Sequence, residues 1–314
     1  MVLLDVVAPI FGVVLVGYAM ARLRLISPEG VRGISDFVFY AAIPALLFRT
    51  MATAHTPAGA DLALIACYLV SCALVFGASL LATGALFRDG VAERAVLAMG
   101  AAFSNSVQLG IPLVLQAFGD AGLVQLMLII SFHSATLITL ATVVIEGARE
   151  DGRPRHSLGR SLALAGRSIV TNPIIIAMFA GIGCATAGWS LPGPLDRFVV
   201  LIGGPSAAAA LFAMGASLAQ FKLGGHLAES AVVAVFKLFA LPAITWLLGR
   251  FAFGLAPLPL AIATVCAALP SGINVFILAQ RYGVAVERSV NLIVLSTLAS
   301  LVTLSVLLAL FAPR

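Results

Sequence analysis

The chain has 314 residues, of which 61% are hydrophobic and only 10% charged, with a formal net charge of +5 and a mean hydropathy of +1.12. A soluble domain of that length needs far more charge to cover itself, so most of this surface must face hydrocarbon. Long apolar runs in place of short alternating segments exclude a membrane β-barrel and give an all-α polytopic membrane protein. The basic residues, scattered over short connections without aromatic interleaving, exclude a nucleic-acid partner.

Apolar runs of about 18 to 26 residues predict ten transmembrane helices, numbered here as spans 1 to 10. The first, 5–22, grows out of "MVLLDVVAPIFG", which has no Lys or Arg and no small-residue cleavage site, and reads as a spanning helix and not a cleaved signal. It is followed by 34–52, 61–86, 95–118 and 121–146. The one long polar connection, Glu146 to Ser168, separates these from 169–188, 195–220, 229–252, 257–281 and 286–311. The predicted organisation is a first five-helix repeat (1–146), a cytoplasmic loop (147–168) and a second five-helix repeat (169–314).

Sliding the sequence against itself supports that division. At an offset of about 164, Pro9 meets Pro173, Gly17 meets Gly181, Pro28 meets Pro192, Leu47 and Phe48 meet Leu211 and Phe212, and Gly119 meets Gly283. An odd number of spans per repeat inverts the second copy, an arrangement typical of secondary transporters. Arg22, Arg24, Arg32, Arg88, Arg94, Arg149, Arg153, Arg155, Arg160, Arg167, Lys222, Arg281 and Arg288 fall in the odd-numbered connections, while the even-numbered ones and the termini hold only Arg49, Arg197, Arg250 and Arg314. Positive charge marks the cytoplasmic side, so both termini are predicted to face outward.

Spans 4 and 9 are interrupted. The first contains "FSNSVQLGIP", with Ser104, Asn105, Ser106, Gln108, Gly110 and Pro112; the second contains "ALPSGIN", with Pro270, Ser271, Gly272 and Asn274. An overlay near offset 166 puts Gln108 opposite Asn274 and Ser104 opposite Pro270. In hydrocarbon a broken helix leaves backbone groups unpaired at several kcal/mol each, so such a break persists where it lines a cavity. Pro112 and Pro270 remove donors, Gly110 and Gly272 permit unwound backbone, and Asn105, Ser106 and Ser271 suit the N-caps of the resumed half-helices. Because the two spans run in opposite directions, both resumed N-termini meet near the midplane, where their positive ends favour an anion. A pair of packed proline kinks is the plainer alternative.

"NSVQLGIPL" (Asn105 to Leu113) and "ALPSGINVFILAQRYG" (Ala268 to Gly283) closely resemble the crossover motifs of the auxin efflux carrier family, which includes plant PIN carriers and bacterial malonate or malate permeases. "AAIPALLFRTM" (Ala41 to Met51) and "AAAALFAMGASLA" (Ala207 to Ala219) resemble that family's second and seventh helices. The resemblance covers essentially the whole chain. It implies a five-plus-five inverted repeat of the NhaA-like fold with crossing helices 4 and 9, similar to bile acid symporters. It further implies a scaffold of helices 1, 2, 6 and 7, a mobile transport domain of helices 3–5 and 8–10, elevator-type alternating access and a homodimer through the scaffold. The substrate implied is a small mono- or dicarboxylate, in a bacterial inner membrane. Ser104 departs from the plant pattern, which has a proline there, so helix 4 is expected to unwind less or to break at Gly110-Ile111-Pro112.

Two ionisable side chains fall inside predicted spans. Lys237 reads as a counter-charge for an anion, a tether for a crossover carbonyl, or a side chain snorkelling to the interface. His133 reads as a proton carrier or as a neutral hydrogen-bonded packing residue. No Asp or Glu lies in either crossover, which argues against a carboxylate-based sodium/proton antiporter. No cofactor or metal site is expected, and the coupling ion, H+ or Na+, stays open. Cys67, Cys72, Cys184 and Cys266 sit in apolar spans without CxxC spacing and read as packing residues. "LPSGI" lacks a GxSxG elbow and no HExxH or phosphate loop occurs, so an enzyme is not expected. A sodium-coupled bile-acid-like symporter and a non-transporting receptor are the alternatives.

Overall fold

A computed structural model describes residues 7–53, 62–87, 89–148, 167 and 170–311. Most of the predicted 147–168 loop lies outside the described residues, as do Asp5, His55, Asp61 and His156. The described chain is helical: α1 (Ala8–Arg22), α2 (Pro28–Phe37), α3 (Ile43–Thr53), α4 (Leu62–Phe87), α5 (Val91–Ala102), α6 (Ile111–Gly147), α7 (Pro173–Thr186), α8 (Gly193–Gly203), α9 (Ser206–Leu218), α10 (Leu227–Val235), α11 (Leu241–Leu247), α12 (Pro257–Ala268), α13 (Asn274–Tyr282) and α14 (Val286–Phe311). Among the described residues, six continuous helical stretches are long and apolar enough to cross a membrane: Pro28–Thr53, Leu62–Phe87, Ser106–Gly147, Gly193–Leu218, Leu227–Ala252 and Val286–Phe311. Ala8–Arg22, Pro173–Thr186 and Pro257–Ala268 are shorter apolar helices.

Several of these stretches widen into a five-residue π-helical turn: Val38–Ala42, Ser106–Gly110, Phe236–Ala240 and Leu248–Ala252. The first three each end two residues before a proline, Pro44, Pro112 and Pro242. A proline ring collides with the carbonyl four residues back, and the wider turn moves that carbonyl aside while the helix continues. Sharper breaks use glycine. Gly119 inside α6 has φ +65°, which separates the half-helix 111–118 from the long segment that follows. Gly283 closes α13 in the left-handed conformation, with the Val284 amide donating back to the Ala279 carbonyl.

Two sets of helices pack mainly within themselves. In one, α1 lies along α9, α3 lies along α7 and α8, and α2 also touches α9. In the other, α4, α5, α6 and α10 to α14 surround the short helices α5 and α12. Residues 95–102 and 260–268 are buried without exception, so neither helix has an amphipathic period. The sets meet where α9 lies against Ser106–Gly110 and α6, and where α3 touches α6; there the Thr50 hydroxyl donates to Asp120 at 3.4 Å.

Equivalent elements recur at a nearly constant spacing. Pro28–Thr53 and Gly193–Leu218 start 165 residues apart, as do Leu62–Phe87 and Leu227–Ala252, and α5 and α12 start 166 apart. Two close helix contacts follow the same rule. A Cβ on Gly17 would strike the Phe212 carbonyl, and one on Gly181 would strike the Phe48 carbonyl. We expect Gly17→Ala and Gly181→Ala each to cost about 1–3 kcal/mol through overpacking. Gly12→Ala and Gly183→Ala, where a Cβ meets open space, should leave the melting temperature of the detergent-solubilised protein unchanged or slightly raised.

Candidate functional site

The two interrupted helices cross through extended backbone. α5 stops at Ala102, Phe103 turns to φ −87°, ψ 112°, and Leu269, ahead of Pro270, takes φ −58°, ψ 150° as residues before proline do. Ser104 and Ser271 then pair as an antiparallel bridge. The Asn105 amide donates to the Pro270 carbonyl at 2.8 Å, and the Gly272 amide donates to the Phe103 carbonyl at 3.1 Å. Ser104 therefore faces Ser271 across the crossing.

The remaining amides at the crossing find side chains. Ser104 N–H donates to His133 Nε2 at 3.2 Å, and Ser271 N–H donates to Ser296 Oγ at 3.1 Å. His133 is buried between the Tyr68 and Phe103 rings. With Nε2 accepting, the neutral imidazole carries its proton on Nδ1, an atom without a hydrogen-bond partner. Ser271 Oγ donates to the Gly100 carbonyl at 2.7 Å, satisfying an orphaned acceptor at the end of α5.

Lys237 belongs to the same knot. Its side chain is 0% exposed; Nζ donates to Ser104 Oγ at 2.9 Å and to the Ala267 carbonyl in the last turn of α12 at 2.5 Å. Snorkelling to the interface is thereby overturned, because the π-turn Phe236–Ala240 directs the side chain inward. The ammonium sits where the negative ends of α5 and α12 converge, which suits a cation. Tyr68 adds a hydroxyl bond to Ser104 Oγ at 3.0 Å and lies 3.5 Å from Cys266 Sγ.

Two expected details are corrected. Gly110 is not unwound, having helical φ −64° and ψ −47°; the break lies at Phe103 to Asn105, and the π-turn Ser106–Gly110 accommodates Pro112. Gly110 and Gly272 instead allow close approach: a Cβ on the first would lie 2.8 Å from Leu269, and one on the second 2.9 Å from the Phe103 ring. The resumed helices are also not capped by the side chains of Asn105, Ser106 or Ser271. Asn105 holds the N-cap position, but it is its carbonyl that accepts, from the Leu109 and Gly110 amides.

The other side of the crossing opens into a narrow cleft of about 20 Å³, lined by Asn105, Gln108, Met214, Ser217, Leu218, Phe221, Ile273, Ile293 and Thr297. Asn105 Nδ2 points toward Met214 Sδ at 3.7 Å, a weak contact that leaves the amide available to a better acceptor. Of the sequence candidates, Asn105 and Gln108 reach this cleft. Ser106, Gly110, Pro112, Pro270, Ser271 and Gly272 are buried in the crossing itself, and Asn274 is half-buried outside the lining. Ser217 and Thr297 were not anticipated. Serines and threonines are common along these spans, and nothing in the spacing distinguishes these two. Among the described residues no charged side chain lines the cleft, and none form a cluster of His, Cys, Asp or Glu able to bind a metal.

Residues 2–308 match the family described as Membrane transport protein. A Rhizobium meliloti (strain 1021) protein named "Putative malonate transporter" is 32% identical over 96% of this chain and 93% of its own length. The Escherichia coli (strain K12) "Uncharacterized transporter YfdV" is 26% identical over 94% of this chain and 93% of its own. The Oryza sativa subsp. japonica "Probable auxin efflux carrier component 5b" is 29% identical over 48% of this chain and 43% of its own.

The geometry of the knot makes Lys237 and Ser104 one energetic unit. Lys237→Ala and Ser104→Ala should each lower stability by about 1–3 kcal/mol by stranding buried partners. The double variant should lose less than the two combined, by about 0.5 kcal/mol or more in a thermal or denaturant cycle. Fully additive losses would separate the two residues.

Proposed function

The chain belongs to the membrane transport protein family that includes the auxin efflux carriers, and from that premise we propose that it carries a small organic anion, a mono- or dicarboxylate of the malonate class, across a bacterial inner membrane. The observation that carries this reading is the antiparallel crossing of two broken helices beside the Asn105–Gln108 cleft. The resumed helices, beginning at Ser106 and Asn274, bring two N-terminal ends to one place. Each end carries roughly half a positive elementary charge, and the uncharged amides of Asn105 and Gln108 orient a carboxylate there.

The architecture we propose is ten spans in a five-plus-five inverted repeat. Its supports are the recurrent 165–166 residue spacing and the reciprocal glycine contacts Gly17 with Phe212 and Gly181 with Phe48. Helices α1 to α3 and α7 to α9 form the scaffold, through which two copies associate. Helices α4 to α6 and α10 to α14 form the transport domain. The substrate cleft lies between them, lined by α9 from one set and the crossover and α14 from the other, as elevator-type alternating access requires. Transport is secondary active or facilitative, driven by the substrate gradient or by coupling to H+ or Na+, without a cofactor.

Reconstituted into liposomes, the protein should exchange or take up labelled malonate or a related carboxylate. Asn105→Ala should weaken binding about ten- to a hundred-fold, the value of one hydrogen bond to an anion, with little change in folded yield; Ser35→Ala, remote from the cleft, should bind as wild type. Unaltered binding by folded Asn105→Ala would move the site elsewhere. Orientation is testable separately: single cysteines in the 147–168 loop should react with impermeant thiol reagents only from the cytoplasm, and cysteines at either terminus only from outside.

A further inference from the structure

Buried hydroxyls in this protein generally return their proton to the helix that carries them. On α14, Ser296 donates to the Ile293 carbonyl at 3.2 Å, Ser300 to the Thr297 carbonyl at 2.7 Å, and Ser305 to the Leu301 carbonyl. Buried threonines elsewhere do the same: Thr83 to Ser79 and Thr245 to Leu241 at 2.8 Å, and Thr264 to Leu260 at 2.7 Å. Thr297 breaks the pattern. It is 3% exposed, its Oγ1 has no hydrogen-bond partner among the described residues, and it lines the cleft together with Asn105 and Gln108. A carbonyl one turn back is the usual partner for such a hydroxyl, and here it is not used.

A buried hydroxyl without a partner destabilises the fold, because the group gave up water on burial and received nothing in return. Such a group persists when something else supplies the partner. We infer that Thr297 is a further substrate-contacting residue, whose hydroxyl donates to a carboxylate oxygen of the anion held by Asn105 and Gln108. This rests on the carboxylate-binding role proposed for that cleft. It extends the site from the crossover to the last helix, so that the anion is held by side chains of two elements of one helix set while α9 closes the other side.

Ser79 and Thr303 also carry unpartnered hydroxyls, but neither lines this cleft, which makes Thr303→Val a matched control. The experiment uses the purified full-length protein, thermal shift titrations, and a panel of straight-chain mono- and dicarboxylates that includes malonate. Thr297→Val removes the hydroxyl and keeps the shape. It should melt at or above the wild-type temperature without ligand, yet bind the best acid of the panel about tenfold or more weakly. Thr297→Ser, which keeps the hydroxyl, should bind within a few-fold of wild type, and Thr303→Val should be stabilised with affinity unchanged. A lower ligand-free melting temperature for Thr297→Val would mean that the hydroxyl serves the fold, and would overturn the inference. Wild-type affinity in Thr297→Val alongside weakened Asn105→Ala would also overturn it while leaving the cleft in place. If neither substitution changes affinity, or no acid of the panel stabilises the wild-type protein, the cleft's carboxylate role falls and the inference falls with it.

Discussion

Everything at the centre of this protein follows from backbone groups that cannot be left unpaired in apolar surroundings. Two helices stop at Ala102 and Ala268 in the most buried part of the fold. Each stop strands carbonyls behind it and amides ahead of it, and in a membrane protein no bulk water reaches them. The crossing resolves part of this by mutual exchange: Asn105 to Pro270 and Gly272 to Phe103 are the two bonds of a one-residue sheet. The remainder is met by single side chains brought from other helices. Ser271 and Lys237 serve stranded carbonyls at Gly100 and Ala267, and His133 and Ser296 accept from the two bridge amides. Close approach of the two chains is a condition of that exchange, which is why Gly110 and Gly272 matter for space more than for backbone freedom.

The two halves of the crossing reach the same end by different chemistry, and the difference explains the ionisable residues. Both bridge amides need an acceptor from another helix: Ser296 of α14 meets that of Ser271 with a hydroxyl, and His133 of α6 meets that of Ser104 with an imidazole. The Ser104 hydroxyl then becomes the shared acceptor for Lys237 and Tyr68. Lys237 thus occupies the side of the crossing where helix C-termini converge, and the cleft occupies the side where helix N-termini begin. The negative helix ends are met by a resident basic side chain, Lys237. The positive ends have no resident acid among the described residues, since no Asp or Glu lines the cleft. That asymmetry is the electrostatic core of the case for an anionic substrate.

Much of the fold was legible in the sequence because hydrophobic run length is a strong signal in a membrane chain. Predicted ranges such as 61–86, 195–220, 229–252 and 286–311 fall within two residues of the helical stretches Leu62–Phe87, Gly193–Leu218, Leu227–Ala252 and Val286–Phe311, whereas 34–52 starts six residues late and 95–118 and 257–281 each run across a break; the break at Gly119 and the turn at Gly283 coincide with glycines matched in the repeat comparison. Proline was less informative than it looked. Pro44, Pro112 and Pro242 each sit in a continuing helix behind a π-turn, so a proline inside a span marks a kink or a break without saying which. The position of the break in the first crossover was misread for that reason: Gly110 and Pro112 drew attention away from Ser104. Lys237 was legible only as alternatives: the tether to a crossover carbonyl, which is the contact it makes with Ala267, stood beside a counter-charge and a snorkelling side chain, because sequence periodicity does not resolve the register of a π-turn.

The composition of the cleft also bears on how a carrier must work. A full positive charge beside the anion would hold it tightly in a low-dielectric site, and tight binding in both access states slows release. Lys237 is spent inside the crossing, on Ser104 and Ala267. What remains for a ligand is fractional helix-end charge, the neutral amides of Asn105 and Gln108, and the hydroxyls of Ser217 and Thr297, against apolar Met214, Leu218, Phe221, Ile273 and Ile293. On the elevator reading proposed above, several modest donors shared between two helix sets are dismantled stepwise as those sets slide past one another, because moving α9 away removes Met214, Ser217 and Leu218 together while the crossover keeps its own contacts. On that reading the crossing travels as one unit, since the side chains and carbonyls bonded to its bridge residues Ser104 and Ser271, from α4, α5, α6, the π-turn Phe236–Ala240 and α14, all belong to one set. Rigid internal bonding at the crossover and weak, divided bonding at the cleft are then two consequences of one arrangement.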